Sequence, residues 1–106
     1  MSDTFAIKRN DTSPAIVRFL EDEAGAAINL DNASVRFYMG SNVANAATVL
    51  DAATGQVAYE WSVGDTAIAG THRAEFEVVY SDGSKETFPN NRYITVNITP
   101  DLGEPA

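Results

Sequence analysis

His72 is the only histidine of a 106-residue chain, and an imidazole is the side chain whose ordinary pKa lies nearest neutrality. It is therefore the first residue to weigh for chemistry. It stands in "GDTAIAGTHRAEFEVVYSDGSKETFP", residues 64 to 89, at the head of a run in which charged and apolar residues alternate. A zinc site would need partner ligands, yet the chain has no cysteine and no second histidine. Nucleophilic catalysis would need a serine or cysteine motif held against a base, and none lies nearby. Counting back by twos from Tyr80 and Phe76 places His72 on the apolar face of a strand, one step beyond Ala74. A structural imidazole is the expectation.

The other residues with chemical potential read the same way. Glu21, Asp22 and Glu23 could offer carboxylates to calcium, but the stretch lacks the alternating oxygen ligands and central glycine of a calcium loop, and a solvated hairpin tip is expected. Glu75 and Glu77 project from one strand face, with Arg73 and Lys85 as cross-strand partners rather than as parts of an acid and base pair. Tyr59 and Trp61 could form a sugar-stacking platform, although alternation puts them on the same face as Val57 and hence in the core. "GDTAIAG" lacks the lysine and the strand-to-helix setting of a phosphate loop. "NDT" (10–12), "NAS" (32–34) and "NIT" (97–99) match the glycosylation sequon but gain no chemistry without a secretion signal. The inventory predicts no catalytic, cofactor-binding or metal-ligating residue, hence no enzyme and no cofactor.

The elements that position these residues are strands. No stretch keeps apolar residues at helical spacing beyond about two turns, whereas alternation with period two recurs throughout. "FAIKR" (5–9), "PAIVRFLE" (14–21), "SVRFYMG" (34–40), "GQVAYEW" (55–61), "HRAEFEVVY" (72–80), "KETF" (85–88) and "RYITVNIT" (92–99) are the predicted strands, the first of them an edge. "SDGS" between the fifth and sixth predicts a hairpin through a type I′ turn, because Asp-Gly tolerates the positive φ that such a turn demands. "VGDTAIAG" (63–70) breaks the alternation and is expected to form one helical turn linking two sheets. Together these predict an all-β, immunoglobulin-like antiparallel sandwich of about seven strands, with residues 1–100 as one domain and 101–106 as a C-terminal tail.

Fifteen acidic against seven basic residues give a net charge of −8. That balance disfavours nucleic acid, whose phosphates are bound by Lys and Arg, and favours solubility. The N-terminus has no apolar run of signal-peptide length and nothing approaches a membrane span, so synthesis and folding in a cytoplasm are expected.

The order "IKRNDTSPAIVRFL", "INLDNASVRFYM", "VLDAATGQVAYEWSVGDTAIAGTHRAEFEVVYSDGSKETFP" and "YITVNITPDL" resembles the N-terminal domain family of phage baseplate upper proteins, immunoglobulin-like domains of tailed-phage virions. The likeness runs from about Phe5 to Leu102, and is most specific in "ATGQVAYEW", "GDTAIAGTHRAEFEV" and "DGSKETFP". It implies a structural module of the virion with no catalytic residues. Family members often carry tyrosine at the position of His72. The stretch from Asp65 to Ala74 also echoes a tyrosine corner, which suggests that an imidazole nitrogen serves a backbone group there as a tyrosine hydroxyl would.

The function that follows is a tail or baseplate adaptor or attachment protein, docking on other virion proteins through edge strands and terminal arms. Phe5, Ile7 and Leu102 are the expected contacts. Capsid decoration, or a head-fibre base, is the alternative, and a host-glycan-binding module using Tyr38, Tyr93 or Trp61 is the rival from another class. The expected partners are virion proteins of tail, baseplate or capsid, and further copies of the chain, with neither nucleic acid nor membrane among them.

Overall fold

The computed structural model describes residues 3–103. Among them nine strands form, with no helix: β1 (Thr4–Lys8), β2 (Ile16–Phe19), β3 (Ser34–Met39), β4 (Val43–Ala46), β5 (Thr48–Asp51), β6 (Gln56–Tyr59), β7 (Gly70–Val79), β8 (Lys85–Phe88) and β9 (Ile94–Thr99). They make an all-β sandwich. One sheet has the order β1-β9-β7-β3-β4 with β8 also on β7, and the other has the order β2-β6-β5. In chain order these are the G-F-C-C′ and B-E-D arrangements of immunoglobulin-type sandwiches.

All seven expected strands are present. The two additional ones, β4 and β5, are short and hidden from a period-two reading: β4 buries only Val43 of its four residues, and β5 fully buries none. Each lies at a sheet edge, where one-sided burial has little to impose. β1 is an edge as expected, but it pairs with β9 in parallel (Thr4↔Thr95 to Lys8↔Thr99) while the other ladders are antiparallel. After β1 the chain crosses to the opposite sheet, so no hairpin dictates its direction beside the last strand.

β8 and β9 lie end to end along one side of β7. β9 pairs with Gly70–Ala74 and β8 with Phe76–Val79, so residues 89–93 bulge out of what is otherwise one long strand. The β7–β8 hairpin closes differently from the expectation. Tyr80 N–H donates to Ser84 O (2.8 Å) and Gly83 N–H to Tyr80 O (2.9 Å), while Gly83 alone in the loop has positive φ (+89°). This is a three-residue loop with glycine at the left-handed position, not a two-residue type I′ turn.

The inward faces meet around Phe37, which has no solvent exposure. Its ring stacks on Tyr59 (centroids 4.5 Å apart) and meets Trp61 edge-on (5.6 Å) and Phe76 at a tilt (5.1 Å). Ile16, Val57, Val78, Ile94 and Val96 fill the surrounding layer. Gly55 is held by two constraints at once. Its φ is +74°, and a Cβ there would come within 2.7 Å of the Leu20 carbonyl oxygen and 2.8 Å of that of Ile28.

Candidate functional site

The turn between β6 and β7 carries the residues that first suggested chemistry, and the structure makes it an anchor. It links the two sheets as expected, through turns rather than a helical turn. Three polar side chains fix it. Asp65 Oδ2 accepts from the Tyr59 hydroxyl (2.5 Å) and from Ser62 N–H (2.9 Å), and Asn45 Nδ2 donates to the same hydroxyl (2.9 Å). Thr66, buried, donates from Oγ1 to Asp11 O (2.8 Å) and its own carbonyl accepts from Asn10 N–H (3.1 Å). His72 places Nε2 2.9 Å from Ile68 O. Since a carbonyl only accepts, Nε2 carries the proton in this contact. His72 therefore sits half-buried on the face of Ala74 and Phe76 and serves a backbone group, as the corner analogy implies. The Tyr59–Asp65–Asn45 network had no sequence signal beyond a tyrosine expected in the core. Burial, then the neighbouring carboxylate, raises the Tyr59 pKa.

Glu21, Asp22 and Glu23 form a hairpin tip. Asp22 Oδ1 accepts from Ala24 N–H and Ala26 N–H (both 2.9 Å), and Gly25 N–H donates to Asp22 O. The carboxylate is thus used by the turn itself. Between this tip and residues 89–92 lies an open cleft of about 250 Å³ rimmed by Arg18, Phe19, Glu21, Asn90 and Arg92. Among the described residues no group of three or more His, Asp or Glu side chains could hold a metal ion. Glu77 accepts from the Tyr38 hydroxyl (3.4 Å) and Glu86 from that of Tyr80 (2.9 Å).

The aromatic rings separate by burial. Trp61 is 5% exposed and donates its indole N–H to Pro14 O (3.1 Å), so it is a core residue and no stacking platform. Tyr38 lies half-buried beside the Arg36 guanidinium. Tyr93, 49% exposed with Arg73 5.1 Å from its centroid, is the ring of the three that solvent reaches most freely.

The expected docking residues also separate. Ile7 is 5% exposed and belongs to the core, and Phe5 packs at its margin against Trp61 (5.8 Å). Both point inward because odd-numbered residues of β1 face the opposite sheet, so Ile7 is corrected from a contact to a core residue. Leu102 is fully exposed. It follows Asp101, whose carboxylate lies 3.7 Å from Arg9 at the end of β1. Residues 104–106 of the expected tail lie outside the described residues.

What β1 does expose is its main chain. Asp3 O accepts from Thr95 N–H (2.8 Å) and Arg9 N–H donates to Thr99 O (2.8 Å), so odd residues bond to β9 and Thr4, Ala6 and Lys8 direct theirs to the open side. Among the described residues only Lys8 O is occupied there, by Asp11 N–H (3.1 Å). The parallel pairing also separates Asp3 from Asp101: Thr4 is level with Thr95 and Lys8 with Thr99, so Asp101, beside Arg9, lies about 20 Å from Asp3 along the strand direction. No family model matches the chain, and no curated protein matches it significantly.

Proposed function

We propose that this chain is a non-enzymatic structural protein of a tailed-phage virion, a tail or baseplate adaptor that docks on other virion proteins. The virion assignment rests on the sequence resemblance described above. The docking mode rests on one observation: the open edge of β1, where the outward main-chain groups of Thr4 and Ala6 have no partner among the described residues. An extended segment laid along this edge gains a ladder of main-chain hydrogen bonds. The exposed Leu102 offers a second contact at the far end of the same strand pair.

Ala6→Pro tests the mode cleanly. It removes an outward N–H, leaves the bonds from Phe5 and Ile7 to β9 intact, and suits proline's tolerance of strand edges. Phage assembled with this variant are expected to contain much less of the protein, and particles carrying the variant at wild-type level overturn the edge as the docking site. Deleting residues 101–106 tests the terminal contact in the same assay, where unchanged incorporation removes it from the mechanism.

A further inference from the structure

Phe19 and Tyr93 are the two aromatic side chains that stand exposed among the described residues, at 57% and 49%, and each opens onto a cleft. Phe19 lines the cleft beside the hairpin tip of Glu21, Asp22 and Glu23. Tyr93 lines a second cleft, of about 290 Å³, together with Glu75 and Thr87 on the outer face of the large sheet. Pro89, Asn90 and Arg92 line both, so the two clefts adjoin at the bulge between β8 and β9. That bulge is held in shape. Asn91 Nδ2 donates to Glu23 Oε1 (3.3 Å), tying it to the hairpin tip, and Asn90 Nδ2 donates to Glu86 Oε2 (3.2 Å) and Thr87 O (3.0 Å). The Arg73 guanidinium, 5.1 Å from the Tyr93 centroid, steadies that ring. A surface ordered before its ligand arrives loses less entropy on binding.

Hydrogen-bonding capacity is left over at the same place. The half-buried Glu75 carboxylate and the Arg92 guanidinium have no hydrogen bond or ion pair among the described residues, and Asn90 keeps Oδ1 free to accept. This set selects its ligand. An apolar molecule would find only one ring in each open cleft and would stay mostly in water. Nucleobases also stack on such rings, but their phosphates meet a chain of net charge −8. A basic peptide suits that charge yet meets Arg92 at the junction and Arg73 beside the ring. A metal ion lacks ligands among the described residues. A pyranose matches what is present: it has an apolar face to lay on an aromatic ring, and hydroxyls that both donate and accept, for pairing with a carboxylate, an amide oxygen and a guanidinium. Two rings in adjoining clefts suit consecutive units of a sugar chain.

We infer that the bulge of residues 89–93 is a binding groove for a neutral polysaccharide, with Phe19 and Tyr93 stacking on sugar rings to either side and Arg92 and Glu75 hydrogen-bonding their hydroxyls. The inference goes beyond the docking reading and uses neither Thr4 nor Ala6. Its test places the purified chain on an array of neutral bacterial O-polysaccharides, with dextran and yeast mannan alongside, followed by calorimetric titration of the strongest responder. The wild-type chain is expected to bind at least one of them and to keep binding in high salt. Phe19→Ala and Tyr93→Ala each weaken that binding about tenfold or more, the size of effect known for a base stacked on one aromatic ring, and Glu75→Ala weakens it by a smaller factor. Val63→Ala, at a fully exposed side chain in the β6–β7 turn, leaves it unchanged. Circular dichroism melts check that each variant folds. Absence of binding across the array overturns the inference. So does binding that survives in a Phe19→Ala/Tyr93→Ala double variant melting like the wild type, and so does binding that salt abolishes, since salt screens charge attraction and spares stacking. None of these outcomes bears on whether particles contain the protein, so the virion reading stands or falls separately.

Discussion

Removing a single oxygen atom from the core, by Tyr59→Phe, tests the account of the β6–β7 turn. The Tyr59 side chain is 2% exposed, and its hydroxyl both donates to Asp65 and accepts from Asn45. The first bond has a charged acceptor, a class whose loss costs about 1.5–3 kcal/mol, and Asn45 loses its partner as well. Asp65 keeps the Ser62 amide and access to water, which offsets part of the cost. The balance is about 2 kcal/mol, or about 10 °C in Tm for a domain of this length. Thermal melts by circular dichroism measure it, with Asp65→Ala and the double variant completing a cycle. A coupling of about 1–2 kcal/mol between the two positions is expected. A Tm unchanged by Tyr59→Phe, or strict additivity in the cycle, refutes the claim that this network secures the turn.

His72→Tyr is expected to melt within about 1 kcal/mol of wild type, because a hydroxyl can still donate toward Ile68 O, whereas His72→Asp sets a carboxylate against that carbonyl and loses about 1–3 kcal/mol. Equal losses in the two melts contradict the role given to the imidazole. Gly55→Ala adds left-handed strain of about 1–3 kcal/mol to a clash with two carbonyls, and a chemical denaturation midpoint equal to wild type contradicts it. Burial, then the hydrogen bond to Glu86, pushes the Tyr80 pKa up to about 12. The folded state thus favours the protonated phenol: this contribution to stability is complete below pH 10 and is lost as the pH rises through 12. Phenolate absorbance in an alkaline titration should show late ionisation from Tyr59 and Tyr80, and Tyr80→Phe should remove the part near pH 12.

The fold was legible where alternation is enforced by burial. β3, β7 and β9 each bury alternate residues in the core, and their periodicity is therefore strict, whereas β6 also buries Ala58. β4 and β5 were not legible, because edge strands with one or no buried residue leave no periodic trace. The parallel pairing of β1 was hidden for a related reason: alternation reports which side chains point inward but says nothing about the neighbouring strand. That gap also misassigned Ile7, whose position near the terminus suggested a contact while its odd register makes it core. The strand register placed the His72 imidazole on the face of Ala74 and Phe76, where it lies half-buried with Nε2 against Ile68 O. The Tyr59–Asp65–Asn45 network was not legible, since its members are distant in sequence and meet only when both sheets are in place.

The proposed virion assignment is tested most directly by mass spectrometry of virions purified from a lysate of cells that carry this chain's gene, counting its copies against the major tail and capsid proteins. The account predicts an integral component at a fixed copy number that resists high-salt washing, with Ala6→Pro particles depleted of it. Particles that lack the wild-type protein altogether contradict the account.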